Sequence, residues 1–280
     1  MQEVEKHPAP AYMAQVRPLL AASGSDFCMP PAFEYIDPNL PAPLRAALAQ
    51  ALSAPPQRVQ RVEGGGEALW LKQKEDSLSL WWRLLKGNSR RAFEADRLAL
   101  KDLAKQDLPV PAIRAEGRDF FATTEIGTPV AHFLRGSQSA AELAPALEAA
   151  GRALGAFHSA GVVHGRPKLR DICWDGHQAR LIDFERYRRG ESSRKLMAQD
   201  MLVLLHSLFS LRPDGAEEAG IVLKAWLATA PEGLSGALVQ RAKALAWLRP
   251  ASRLALKRRA GSSEMIAMPI TLDWILETLR

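Results

Sequence analysis

LGAFHSAGVVHGRPKLRDICWDGHQARLIDFER, residues 154–186, is the stretch on which the fold turns. Leading into it, Leu143, Leu147, Ala150, Leu154 and Phe157 recur at spacings of four and three, the period of one buried helical face. Gly161 ends that helix. The apolar pair Val162 and Val163 then leads into a polar turn, HGRPKLRD. Two strand-like pieces follow, Ile172 to Trp174 and Ala179 to Ile182, joined by a turn at Asp175-Gly176. The polar turn ends in Asp171 and the second piece runs into Asp183, so pairing of the two strands brings two carboxylates together. Such a pair suits Mg2+, which is held by one or two carboxylates plus substrate phosphates.

A helix, then HG and a loop, a hairpin and IDFE, is an order that resembles the catalytic and metal loops of the protein-kinase-like fold, in the manner of the bacterial lipopolysaccharide core heptose kinase and Kdo kinase group. The resemblance implies an α+β, bilobal architecture, with a small antiparallel β lobe plus one helix and a larger, mainly helical lobe. It implies ATP and Mg2+ as cofactors, with Asp171 in the place of the catalytic-loop Asn and Asp183 in that of the metal-binding Asp. Lys168 matches the lysine that contacts the transferring phosphate, an electrostatic stabiliser. The departure is at Arg166, two residues after His164, where the family carries its catalytic Asp. Arginine keeps its proton at any biological pH and cannot accept one from a substrate hydroxyl.

The resemblance extends over residues 57–211. RVQRV leads into Gly64, Gly65 and Gly66 and then the strand-like EALWLKQ. Glycines between two strands either bring backbone N–H groups to a phosphate or form a plain hairpin turn. By resemblance Lys72 is the nucleotide-phosphate lysine, with Arg83 and Lys86 in SLSLWWRLLK as rivals, and 75–88 is an insertion. The helix of residues 89–105 carries Phe93, Leu100 and Leu103 on one side, and Glu94 matches the glutamate that pairs with the strand lysine. LPVP at 108–111 ends it. Strands at 112–116 and 119–125 follow, and Glu125 and Ile126 fall at the hinge that offers backbone groups to adenine. Residues 195–209 form an apolar helix central to its lobe. Its Asp200 needs partners if buried, and by resemblance it hydrogen-bonds the catalytic-loop backbone.

These readings give a proline-rich arm (1–56) with one short helix near Leu44 to Leu52, a nucleotide-binding lobe (57–127) and a helical lobe (128–280) whose tail is broken at Pro231, Pro250 and Pro269. His158 and His164 lack a second ligand at metal spacing and read as structural, His164 as a loop-packing residue. Cys28 and Cys173 are far apart, which fits a reducing compartment, and Cys173 reads as core. MQEVEKHPAP lacks the basic start and apolar run of a signal peptide, and the apolar stretch at 201–211 is too short to span a bilayer. The chain therefore reads as cytoplasmic. Its net charge of +6 comes from clusters such as 241–260, where seven Lys or Arg stand without an acid. Such surfaces favour phosphates or anionic lipid headgroups, including peripheral contact with the inner membrane, or remain a solvated basic face. No nucleic-acid-recognition motif is evident.

The expected ligands are a nucleotide and an anionic sugar or lipid-linked acceptor. Two functions stay open: a phosphotransferase on a lipopolysaccharide core sugar or similar envelope-related acceptor, or a pseudokinase that binds nucleotide as a regulatory or scaffold module because of Arg166.

Overall fold

The protein is represented by a computed structural model that describes residues 33–74, 89–136, 140–189, 193–249 and 262–280. The insertion at 75–88 with Arg83 and Lys86, Cys28, Pro250 and most of the basic run at 241–260 lie outside the described residues.

In chain order, β1 (Phe33–Ile36) and α1 (Ala42–Ser53) precede the hairpin of β2 (Val59–Gly64) and β3 (Glu67–Gln73), and α2 (Ser89–Ala104) leads to the hairpin of β4 (Ile113–Gly117) and β5 (Phe120–Thr124). The five strands form one antiparallel sheet in the order β1-β4-β5-β3-β2. Side chains alternate across a strand, so Leu69 and Leu71 face one side of β3 and Trp70 and Lys72 the other. Leu69, Leu71 and Ala122 pack under α1, whose Leu44 and Leu48 are fully buried in a cluster with Leu40. Phe121, on the opposite side of β5, joins Phe93, Leu100 and Leu103 of α2 in the main core. Residues 33–53 thus supply an edge strand and a covering helix to the smaller lobe. The strand was not anticipated among so many prolines.

The larger lobe begins with β6 (Thr128–Pro129) and α3 (Val130–Leu134). The long α4 (Ala140–Ser159) follows, then β7 (Val162–Val163), a 3-10 turn at Leu169–Asp171, β8 (Ile172–Trp174), β9 (Ala179–Leu181) and β10 (Arg188–Arg189). Four further helices complete it: α5 (Arg194–Leu211), α6 (Ala216–Thr229), α7 (Leu234–Ala244) and α8 (Ser263–Thr278). Together the lobes make the α+β, two-lobed architecture expected. No helix among the described residues is long and apolar enough to cross a membrane. The tail departs from expectation at Pro269, which lies inside α8 rather than breaking it. The apolar face of that helix, Ala267, Leu272 and Ile275, is fully buried, and this packing outweighs the loss of one helical hydrogen bond.

α4 and α6 approach so closely that a Cβ on Gly151 would run into the Val222 carbonyl oxygen, and one on Gly155 into Thr229. Gly151→Ala is therefore expected to cost about 1–3 kcal/mol by overpacking. Gly220→Ala on α6, where a Cβ meets nothing, should gain about 0.5–1 kcal/mol from helix propensity. Urea unfolding of the two variants checks the opposite signs.

Candidate functional site

β8 and β9 pair in register Ile172 to Leu181, and Gly176, at φ 97°, takes the left-handed position of the turn between them. Asp171 enters this hairpin from the 3-10 turn, and Asp183 leaves it at φ 68°, a left-handed conformation that costs most side chains energy and that aspartate is among the few to adopt. Both carboxylates line a cavity of about 680 Å³ between the hairpin and the cleft-facing side of the sheet. Lys72 and Asp96 line the same cavity, together with Val59, Trp70, Ile126 and Cys173.

The Lys72 ammonium lies 2.7 Å from Asp96 Oδ2. This is not the Glu94 pairing that the resemblance implies: Glu94 accepts from Arg97 at 2.7 Å instead. The reason is the helix period. Phe93, Asp96, Leu100 and Leu103 stand at spacings of three, four and three on the inward stripe of α2, whereas Glu94 is offset from it by one residue. Asp96 is only 3% exposed. Its other oxygen accepts the Phe184 N–H at 2.7 Å, so one carboxylate joins the lysine strand, α2 and the segment after Asp183. Tyr187, donating to Asp102 at 2.6 Å, ties the same segment to α2 again. Glu185 reaches across the cleft mouth to Arg58 at 3.5 Å and to Lys72 at 3.9 Å. Neither Asp96 nor Glu185 was singled out in the sequence. The stripe shared with Phe93 and Leu100 was the available signal for the first.

The loop HGRPKLRD is held from beneath. Asp200, fully buried on α5, accepts the backbone N–H of His164 at 2.8 Å and that of Gly165 at 3.0 Å. His158 lies 3.5 Å from the same carboxylate and accepts the Trp226 indole N–H at 2.9 Å. His164 Nε2 meets the Ile182 carbonyl at 2.9 Å and its ring packs on Phe184, with centroids 4.8 Å apart. Gly165 has φ 95°, and a Cβ there would strike the Arg186 backbone.

Asp171 accepts the Lys168 N–H at 3.2 Å. Burial, and then the nearby negative charge of Asp183, push its carboxyl above the usual range. Two mutually repelling carboxylates facing a cavity form an oxygen donor set that fits Mg2+. Among the described residues no group of three or more His, Cys, Asp or Glu gathers for a metal, so substrate oxygens and water would complete any coordination. The Arg166 guanidinium lies 4.0 Å from the Asp183 carboxylate. Lys168 is engaged by Glu264 of α8 at 2.7 Å. Cys173 is buried, and that burial raises its thiol to about 12, so it stays protonated.

One expected element sits elsewhere. Gly64 pairs with Glu67 and Val59 with Lys72, which puts the glycine turn and the lysine at opposite ends of β3, about 17 Å apart at about 3.4 Å per residue. None of the three glycines lines the cavity that Lys72 lines. Gly65 and Gly66, at φ 65° and 82°, make a two-residue hairpin connection, and Gly64 lies against the α1 backbone at Leu44. Glu125 points its carboxylate to the Arg61 guanidinium, accepting at 2.7 and 2.9 Å, and that bond holds its carboxyl below the usual range. Its neighbour Ile126, 5% exposed, does line the cavity.

No family model matches the chain. Over 153 residues it is 30% identical to an uncharacterized protein of Haemophilus influenzae, a match that takes in 54% of this chain and 63% of that one. The chain thus spans less than two thirds of the length of the curated relative it matches. Among solved structures it is similar to two of WbdD, one a co-crystal with a kinase inhibitor and one described as a bifunctional kinase-methyltransferase. Both are 14% identical, with TM-scores of 0.43 and 0.40, covering 64% and 63% of this chain and 45% and 44% of those chains. A likeness of that size assigns no activity.

Proposed function

We propose that the cleft binds ATP with Mg2+ and that the chain is a kinase-like phosphotransferase. Its acceptor on this reading is a lipopolysaccharide core sugar or a similar anionic, lipid-linked molecule presented at the cytoplasmic face of the inner membrane. The observation that carries the reading is the 2.7 Å pair of Lys72 with buried Asp96, on the wall of the cavity that Asp171 and Asp183 also line. A lysine fixed by a buried carboxylate is a positioned charge for phosphate oxygens, and phosphoryl transfer depends mostly on such positioning. Asp171 and Asp183 would hold Mg2+, which when bound neutralises charge on the phosphates. Arg166 accepts no proton, and an absent general base slows transfer by about 10² to 10⁴-fold without abolishing it. Its guanidinium instead suits an anionic group on the acceptor. Labelled ATP, Mg2+ and isolated core oligosaccharide test the reading. Label should pass to the oligosaccharide and not do so with Asp183→Ala; equal transfer by that variant contradicts the assignment.

A second reading, a module that binds nucleotide without transferring phosphate, is favoured by two contacts: Arg166 stands 4.0 Å from Asp183, and Lys168 is occupied by Glu264. On this reading ATP stabilises the protein without turnover. Arg166→Asp is then expected to raise transfer from background by about 10²-fold or more, whereas measurable transfer by the unaltered chain excludes this reading.

A further inference from the structure

The cleft-facing side of the β2-β3 hairpin leaves two large apolar side chains open, Val59 at 48% and Trp70 at 39% exposure, and both line the 680 Å³ cavity. Indole surface is among the most favourable to remove from water, so its exposure inside a cavity invites a flat partner. Trp70 lies opposite Arg61 on β2 and Thr123 on β5. Arg61 is committed to Glu125, and Thr123 is 7% exposed. Two residues further along the same side of β3 stands Lys72, about 7 Å away at the strand repeat. An aromatic face and a fixed ammonium at that separation match a ligand with a planar ring at one end and an anionic tail at the other. Ile126 and Cys173 supply further apolar cavity wall.

We propose that Trp70 is the platform on which the ring of the bound nucleotide stacks, so that ring recognition in this cleft depends on one aromatic side chain. The inference rests on the nucleotide reading above and adds the residue that selects a planar base over a bare polyphosphate. Stacking of one base on an aromatic side chain corresponds to about 5- to 150-fold in affinity.

Isothermal titration of the full chain, Trp70→Ala and Trp70→Phe with ATP and with inorganic tripolyphosphate, in excess Mg2+, tests it. Trp70→Ala should weaken ATP by about 5- to 150-fold, Trp70→Phe by less, and neither should change tripolyphosphate binding by more than about two-fold. ATP binding that is unchanged or tighter in Trp70→Ala overturns the proposal, since the indole is then only a wall that narrows the cavity. An equal loss for ATP and tripolyphosphate overturns it as well, because the defect is then not in ring recognition. If the unaltered chain binds no ATP, both this inference and the nucleotide reading fall; ATP binding that ignores Trp70 removes this inference alone.

Discussion

Asp96→Ala is expected to lower the unfolding free energy by about 3–5 kcal/mol and to abolish nucleotide-induced stabilisation. The size follows from what the carboxylate does in a place that water hardly reaches. It is 3% exposed and accepts from the Lys72 ammonium and from the Phe184 N–H, each at 2.7 Å. Its removal leaves Lys72, itself mostly buried, with only the longer 3.9 Å contact to Glu185, and leaves the buried Phe184 N–H without its acceptor. Breaking a buried pair from one side typically costs about 3–5 kcal/mol, because the remaining charge is stranded. Glu94→Ala, by contrast, removes a partly exposed i,i+3 pair with Arg97 and should cost less than about 1 kcal/mol. Urea unfolding of both variants in parallel decides between the carboxylates. Equal losses would mean that Asp96 does not organise the lobe interface.

The second large effect is expected at Asp200, which is not part of the cavity wall. Asp200→Ala removes the acceptor for the His164 and Gly165 N–H groups at 2.8 and 3.0 Å and leaves the buried His158 ring without its carboxylate neighbour. Each such donor left unsatisfied costs about 1–3 kcal/mol, so for the two a loss of about 2–6 kcal/mol is expected. Amide exchange should accelerate first at residues 164–165. Asp200→Asn retains one acceptor oxygen and should recover part of the loss. If Asp200→Ala unfolds like the unaltered protein and its 164–165 amides stay protected, the loop is held by something other than this carboxylate.

The parts of this molecule legible in its sequence are those where a local pattern and a buried surface coincide. The four-three spacing of Leu147, Ala150, Leu154 and Phe157 announces α4 because all four are buried. Asp175-Gly176 announces the β8-β9 hairpin because the Asp175 carboxylate accepts the His177 and Gln178 N–H groups and Gly176 takes the left-handed position at φ 97°. Asp200 stood out as a charge in an apolar helix. The partner of Lys72 was misread by two residues because a resemblance supplies an order of parts, whereas the inward stripe of α2 decides which acid faces the lysine. The glycines were misplaced for a related reason: nothing in GGG says which end of a hairpin faces a ligand, and that depends on strand register and on α1 lying over Gly64. β1 and the lodging of Pro269 within α8 depend on long-range packing that no local window contains.

The most direct measurement is thermal unfolding of the unaltered chain, Lys72→Ala and Asp183→Ala against increasing ATP in excess Mg2+. At ATP about 100-fold above Kd, binding adds about 2.7 kcal/mol, a rise in Tm of about 5 °C for a chain of this size. The unaltered protein should show that rise and both variants should lose it. A Tm that ignores millimolar ATP, or rises equally in all three proteins, would contradict a nucleotide site built on Lys72 and Asp183.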